Sequence, residues 1–243
     1  MTDWNNNREE ILIGGSATVV VRVGDTVRRP LKERSSFVHS LLKHLESVGF
    51  TAAPKFLGID EQGREILTYI QGYAGQGRKP FDCGHWSDDQ LVAAASLIRK
   101  YHDATAGSTL TMGEEVVCHN DLSPVNTVFH TSADGLPFAF FDFDTAAPGL
   151  RIRDLGYSAW LWLVLGPTGP VVSEQRRRLQ LWCDAYGITD STAVLDQMEI
   201  RQLELLHKYE EDDKNGKPGA KEEISSIQDQ INWIRSNRST LEG

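Results

Sequence analysis

The sequence has few cysteines, and they lie far apart. Its three cysteines are Cys83, Cys118 and Cys183, and they form neither the dense pattern of a disulfide-stabilised domain nor a C-x-x-C metal motif. A reducing compartment is the simplest interpretation of this spacing, so we expect a cytoplasmic protein.

The sequence also lacks long apolar runs. The most apolar segment, 157–166, is about half the length that a helix needs to cross a bilayer. The N-terminal segment MTDWNNNREE has no basic start followed by an apolar stretch, which is the pattern of a signal peptide. We therefore expect no membrane-spanning segment and no membrane partner.

The sequence has fewer basic than acidic residues. There are 25 Lys and Arg residues against 34 Asp and Glu residues, so the formal net charge is −9. This charge repels phosphate backbones and argues against nucleic acid as the main partner. With 243 residues, 40% of them hydrophobic, the chain can form the core of one large domain or of two smaller lobes.

The N-terminal residues, 1–72, have the pattern of a small sheet with one helix. Segment 11–30 contains two β-branched runs and a Gly-Asp pair suited to a tight hairpin, which predicts three short antiparallel strands. Apolar residues recur at helical spacing over 37–48, and a glycine follows, so we expect one helix there. Two further segments, 55–58 and 65–70, have the pattern of strands.

The rest of the chain, residues 73–243, is predicted to be mainly helical. Ser87 is a candidate N-cap for a helix that runs to about His102. Three short β-rich segments follow, and helical patterns dominate from Asp154 onward. The sequence therefore predicts an α+β fold in two parts, a small antiparallel sheet in residues 1–72 and a helical part in residues 73–243.

One short segment carries a cluster of polar side chains. Residues 118–129, CHNDLSPVNTVF, place His119, Asp121 and Asn126 at the spacing of a kinase catalytic loop, H-x-D-L-x-x-x-N. Asp142 follows in the sequence FDFD, as in a magnesium-binding D-F-G element. In these motifs and in their order, the chain resembles the aminoglycoside phosphotransferase family of small-molecule kinases. These are relatives of choline kinase, and the resemblance implies their protein-kinase-like, two-lobed fold.

The motif residues suit phosphoryl transfer. This reaction needs a positioned hydroxyl and neutralised charge more than covalent chemistry. Asp121 can accept the hydroxyl proton, so we predict that it is the catalytic base. Asn126 and Asp142 offer the oxygen ligands that Mg²⁺ prefers. We expect a magnesium-dependent kinase that uses ATP or GTP to phosphorylate a hydroxyl of a small molecule.

Three neighbouring residues have supporting or open roles. His119 is expected to pack the loop, and Asp154 to brace the loop backbone or cap its helix. Asp144 stands where the D-F-G element has glycine. The sequence leaves open whether Asp144 helps to hold magnesium or faces a cationic acceptor.

The resemblance also implies a nucleotide site in the N-terminal part. Gly15 and Ser16 lie in the first turn, where backbone N–H groups can approach phosphate oxygens. Val27 would face the base, and Arg29 would replace the kinase lysine near the phosphates. Backbone groups at the junction of the lobes would hydrogen-bond adenine edges, and these belong to Thr68 and Ile70.

Two recognition questions stay open in the sequence. Either His39 or Glu46 of the first helix could pair with Arg29. Acidic and aromatic residues of the C-terminal helices would suit a cationic acceptor, such as an aminoglycoside, an amino-sugar or an amino-alcohol. Such residues are more often solvated faces and core. They are Glu199, Glu204, the run 210–213, Trp160, Trp162, Trp182 and Tyr186.

Two other functions match parts of the sequence. A catalytically weak, nucleotide-binding regulatory protein of the same fold would account for the arginine at position 29. The Asp142-Phe143-Asp144 triplet also matches the D-x-D metal site of a glycosyltransferase. That fold should begin with alternating strands and long helices, whereas this sequence begins with a hairpin, so we favour the phosphotransferase.

Overall fold

The computed structural model describes residues 9–12, 19–74, 85–131 and 135–242. The strands of its N-terminal part are β1 (Glu10–Leu12), β2 (Val20–Val23), β3 (Thr26–Pro30), β4 (Phe56–Ile59) and β5 (Arg64–Thr68). They form one antiparallel sheet in the order β1-β2-β3-β5-β4. Gly24, in the turn between β2 and β3, has φ 59°, which glycine adopts at no steric cost.

One helix, α1 (Ser35–Ser47), accompanies this sheet. Four apolar side chains of the helix are at most 2% exposed, and they recur at the spacing of one helical face. These are Val38, Leu41, Leu42 and Leu45. Gly49, at φ 78°, lies just beyond the end of the helix, where a left-handed residue commonly stops it. The predicted small sheet with one helix is confirmed.

The C-terminal part begins with a long helix and two small ladders. Helix α2 (Asp88–Thr105) is capped by Ser87, whose hydroxyl accepts from the Gln90 N–H while the Gln90 side chain accepts from the Ser87 N–H. This is the predicted N-cap. The strands are β6 (Tyr73–Ala74), β7 (Val116–Cys118), β8 (Thr127–Phe129), β9 (Pro137–Phe140) and β10 (Ala147–Gly149). Strands β6, β8 and β9 form one ladder, and β7 and β10 form the other.

Four helices complete the C-terminal part: α3 (Arg151–Leu163), α4 (Val172–Tyr186), α5 (Ser191–Lys214) and α6 (Ala220–Glu242). Trp162 and Trp182 are fully buried in the core among them, so these tryptophans are structural. Helix α3 begins three residues before the predicted start at Asp154, and the acidic run 210–213 lies in the last turns of α5. Of the helices in the described ranges, none has the length and apolarity that crossing a membrane requires.

A buried carboxylate fixes the loop between β7 and β8, residues 119–126. Asp154 is 1% exposed and accepts the backbone N–H groups of His119 and Asn120, each at 2.7 Å. His102 of α2 lies 3.1 Å from the same carboxylate. Burial by itself would raise the pKa of Asp154, but the hydrogen bond and charge of His102, followed by His119, lower it below its ordinary value. The predicted brace is therefore confirmed.

We predict that Asp154→Asn lowers the free energy of unfolding at neutral pH by about 2 kcal/mol or more, because an amide nitrogen cannot accept the loop N–H groups. The carboxylate has a folded pKa below its ordinary 3.8. Its contribution is therefore fully present above about pH 4 and is lost as pH falls through the folded value. Denaturant unfolding at several pH values should show the difference from wild type shrinking below pH 4.

Asp229→Asn is the matched control for this measurement, because Asp229 is exposed on α6. It should change the free energy of unfolding by less than about 0.5 kcal/mol at every pH. A destabilisation by Asp154→Asn that stays constant down to the lowest pH would contradict the role given to its charge.

Candidate active site

The 119–126 loop holds Asp121 and Asn126 together. The Asn126 amide nitrogen donates to Asp121 Oδ2 at 2.7 Å and to the Asp121 carbonyl at 3.1 Å. Residues Pro124–Asn126 form a 3₁₀ turn, which brings the asparagine back towards the aspartate. This arrangement fixes the Asp121 carboxylate and leaves the Asn126 Oδ1 oxygen as the atom available to a cation.

His119 ties the loop to the segment that follows β9. Its Nδ1 accepts the Asp121 N–H at 3.3 Å, and its Nε2 therefore donates to the Phe141 carbonyl at 3.1 Å. Burial lowers the pKa of His119, so the ring is neutral at pH 7. The expected packing role of His119 is confirmed.

Asp142 lies beside the same loop. The Phe141 N–H donates to the Asn126 carbonyl at 3.0 Å, so the backbones carrying Asn126 and Asp142 are adjacent. Asp142 has φ 62° and ψ 62°, a left-handed conformation that is uncommon for a residue with a side chain and concentrates at functional sites. Its side chain is 44% exposed and remains accessible to a ligand.

Two basic residues of the N-terminal part contact the carboxylates of Asp142 and Asp144. Arg29 lies 3.2 Å from Asp142 Oδ1 and 2.6 Å from Asp144 Oδ1, and Lys32 forms an ion pair with Asp144. Partial burial, followed by the charge of Asp144, raises the pKa of Asp142. Burial opposes ionisation of Asp144 as well, but Lys32 and Arg29 outweigh it and lower the Asp144 pKa.

The partner of Arg29 comes from the sheet. Arg29 of β3 and Glu65 of β5 are directly opposed in register, and their side chains form an ion pair in which Glu65 is fully buried. His39 contacts the second oxygen of Glu65 at 2.7 Å, whereas Glu46 pairs with Lys55. Neither helix residue considered from the sequence contacts Arg29. Sequence reasoning missed Glu65, although a glutamate at the inward position of an alternating strand was a usable signal.

The other predicted nucleotide residues have mixed outcomes. Val27 is partly buried on β3, opposite Leu67. The Thr68 N–H donates to the Lys55 carbonyl, which leaves the Thr68 carbonyl as its backbone group for a base. Partly buried residue Ile70 follows the end of β5. The remaining two, Gly15 and Ser16, lie outside the described residues.

A cluster of charged residues on α3 and α5 lies near Asp121, and sequence reasoning suggested Glu204 from it but missed Arg153 and Arg201. Arg153 donates to Asn120 Oδ1 at 3.0 Å and to both Glu204 oxygens. Arg201 donates to the Asn120 carbonyl at 3.2 Å and to Glu204 at 2.7 Å. Hydrogen bonds from Arg153 lower the pKa of Glu204, so this carboxylate is ionised. No motif marks these residues, because they become neighbours only when α5 packs on α3.

The acidic and aromatic residues suggested for the acceptor are mostly committed elsewhere. Glu199 pairs with Arg235 and Arg238 of α6. Trp160 donates to Gln230, and Tyr186 lies 2.7 Å from His102. Two of the suggested residues lie next to the 119–126 loop. Buried Trp162 donates to the Leu122 carbonyl at 3.0 Å, and Glu204 is held by Arg153 and Arg201, which both bond Asn120.

The donor set fits magnesium. Asp142, Asp144 and Asn126 present hard oxygen atoms, and a cation would offset the burial and the charge of Asp144 that raise the Asp142 pKa. Within the described ranges there is no preformed group of three or more His, Cys, Asp or Glu side chains that could hold a metal ion.

Comparison with solved structures shows the fold. The GDP and kanamycin complex of the aminoglycoside phosphotransferase APH(2")-IIIa superposes with a TM-score of 0.60 over 97% of this chain and 95% of that chain, at 14% identity. A choline/ethanolamine kinase family protein from Mesorhizobium loti gives a TM-score of 0.57 over 97% and 90% of the two chains, at 13% identity. The protein-kinase-like fold predicted from the sequence is confirmed.

Comparison of sequences shows the family. The trifolitoxin immunity protein of Rhizobium leguminosarum bv. trifolii is 35% identical, over 75% of this chain and 76% of that protein. The model of the phosphotransferase enzyme family matches residues 17–190, which include the 119–126 loop, Asp142 and Asp154. The chain therefore belongs to the phosphotransferase enzyme family.

Proposed function

We propose that the protein is a magnesium-dependent kinase that transfers the terminal phosphate of ATP or GTP to a hydroxyl of a small molecule. The observation that carries this proposal is the convergence of Asp121, Asn126 and Asp142 on adjacent backbones, with Arg29 of the sheet in contact with Asp142. Family membership favours this chemistry over the glycosyltransferase alternative.

Asp121 is the base in this proposal. Its carboxylate is held by the Asn126 amide, which limits its motion and aims its other oxygen at the incoming hydroxyl. The same Asp121 oxygen would then orient the attacking hydroxyl and accept its proton. The backbone of the loop is kept in place by Asp154, so this orientation does not need to be built when substrate binds.

Asn126 and Asp142 would hold the magnesium ion, with Asp144 near enough to Asp142 to affect its pKa. When bound, the ion neutralises the phosphate charge that develops during transfer. Arg29 and Lys32 would contact the phosphates, because both are already placed at these carboxylates. An arginine can bind phosphate oxygens with two donors at once.

The ligands of the similar structures and the name of the rhizobial relative support a donor and an acceptor class. Solved structures of similar fold contain GDP or ADP, and some contain kanamycin, streptomycin or gentamicin. The similar rhizobial protein is named as an immunity protein. We propose that the acceptor is a hydroxyl-bearing antimicrobial compound, with aminoglycosides, amino-sugars and amino-alcohols as the first set to test, and that its phosphorylation protects the cell.

A second candidate is a regulatory protein that binds nucleotide without efficient transfer. The observation that favours it is the double ion pair of Arg29, which occupies both Asp142 and Asp144. In such a protein, a bound nucleotide would replace the ion pairs of Arg29 with contacts to its phosphates. The surface of the protein would change, but no phosphate would be transferred. Turnover by an Asp121 variant separates the two candidates.

We predict that Asp121→Asn lowers phosphate transfer at least about 100-fold, because removal of a general base has an effect of this size. The dissociation constant for magnesium nucleotide should change less than about threefold, since Asp121 faces the acceptor. Phosphorylated product would be measured by mass spectrometry across the acceptor set, and nucleotide affinity by calorimetry. Asp229→Asn on the exposed face of α6 is the control. Equal turnover in wild type and Asp121→Asn would favour the regulatory candidate.

We also predict that Arg29→Gln raises the dissociation constant for magnesium ATP or GTP about tenfold, which is the size expected for one charge-assisted contact. Arg28→Gln is the matched control on the opposite face of β3, because Arg28 lies near Asp60 instead of the carboxylates of Asp142 and Asp144. Calorimetric titration of both variants provides the comparison. If the two variants lost affinity equally, Arg29 would have no specific role in phosphate binding.

A further inference from the structure

The cluster of Arg153, Arg201 and Glu204 carries more positive than negative charge. Two guanidinium groups share the single carboxylate of Glu204. The side chain of Glu204 is 43% exposed, so an incoming group can compete for its arginine partners. The whole chain has a formal charge of −9, which makes a local excess of arginine at this position notable.

The cluster lies next to the proposed catalytic base. Both arginines donate to Asn120, through its side chain and its carbonyl, and Asn120 precedes Asp121 in the chain. The Arg201 guanidinium also lies over the ring of Tyr157, with its central carbon 4.9 Å from the ring centre. Tyr157 is near Asp121, since burial and then the charge of that carboxylate raise the Tyr157 pKa. The arginines and the base therefore border one region.

Arg201 has donor capacity that the described residues do not use. Its side chain is only 15% exposed, and its Nε–H is buried with no hydrogen-bond acceptor in the described ranges. The tyrosine ring under the guanidinium keeps its plane fixed. This Nε–H is shielded from solvent, so an incoming oxyanion would instead reach the terminal nitrogens that Arg201 now shares with Glu204 and Asn120. A guanidinium with a fixed plane suits a planar oxyanion at those nitrogens.

We propose that this cluster binds a carboxylate of the acceptor, so that the acceptor is a hydroxyl-bearing carboxylic acid. The inference rests on the proposed kinase function and names the substrate class of that site, an acid instead of the cationic aminoglycosides, amino-sugars and amino-alcohols set out there as the first acceptors to test. The carboxylate takes arginine donors now shared by Glu204, and the acceptor hydroxyl then lies towards Asp121. An ammonium group has no acceptor for these donors, so it could contact only the Glu204 carboxylate, which both arginines already hold.

Matched probes test the charge of the acceptor. N-acetylserine, N-acetylthreonine and 3-hydroxybutyrate would each be compared with the corresponding amide, and kanamycin would represent cationic acceptors. Binding would be measured by calorimetry on the full chain with magnesium and a non-hydrolysable nucleotide, and transfer by product formation with MgATP and MgGTP. We expect at least one acid to bind about tenfold more tightly than its amide, the size of one charge-assisted contact.

Two substitutions with opposite charge effects sharpen the test. Arg201→Gln should abolish the preference for acid over amide, whereas Glu204→Gln, which frees both arginines, should increase it about threefold or more. Arg177→Gln removes an arginine that pairs with Asp88 and Glu174 on another surface, and it should leave the preference unchanged. Thermal unfolding of each variant separates loss of recognition from loss of fold.

Several outcomes would overturn the inference. These are equal binding of every acid and its amide, no binding of any acid, or kanamycin binding that Glu204→Gln weakens. An equal loss of acid and amide binding in Arg201→Gln would make the cluster a structural clamp. Failure of the kinase function is a separate result: acid-selective binding without transfer would reject the kinase and retain the carboxylate site. Transfer to kanamycin but to no acid would retain the kinase function and reject the carboxylate site.

Discussion

One buried carboxylate determines the geometry on which the site depends. Asp154 carries its charge in the interior, where an ionised group is stable only when its oxygens are fully hydrogen-bonded. Its donors are two consecutive backbone N–H groups of the 119–126 loop and His102 of α2. The same contacts that stabilise the charge therefore fix the loop against two helices. Asn120 adopts φ 66°, and its N–H is one of the groups that Asp154 holds.

The polar residues of the site follow from this fixed loop in a chain of short contacts. His119 connects the loop to Phe141, and the Asn126 carbonyl accepts from the same residue. The segment 141–144 is held beside the loop in this way, and its carboxylates face the basic residues of the sheet. His119 makes its hydrogen bonds in the neutral form. Because burial lowers its pKa, the ring stays neutral to a lower pH than an exposed histidine would.

The sequence predicted the parts of the molecule that depend on local pattern. The hairpin strands, the Ser87 cap and the helical C-terminal half follow from alternation, capping residues and helical spacing, which act over a few neighbouring residues. The motif 118–129 was recognisable because its chemistry is confined to one loop. Its relation to Asp142 was inferred by resemblance, and the backbone bond between Phe141 and Asn126 now accounts for it.

What the sequence did not predict arises from contacts between distant segments. Glu65 meets Arg29 through strand register, and Arg201 meets Asn120 through the packing of α5 on α3. Neither pairing has a local pattern. The aromatic and acidic residues of the C-terminal helices were equally ambiguous, because composition does not distinguish a binding face from a core or from an ion-paired surface. The burial of each side chain and the residues that it contacts show which of these three it belongs to, and both are properties of the folded chain.

The ion pairs of Arg29 also bear on how a nucleotide would leave. Arg29 joins the sheet to Asp142 and Asp144 and partly neutralises this acidic pair. In a kinase built this way, the entry of phosphate exchanges one set of partners for another, so the loss of the carboxylate contacts offsets part of the attraction between Arg29 and the phosphate. After transfer, the spent diphosphate competes with two carboxylates of the protein for the same guanidinium. In the proposed kinase, Asp142 and Asp144 would therefore favour release of the product over its tight retention.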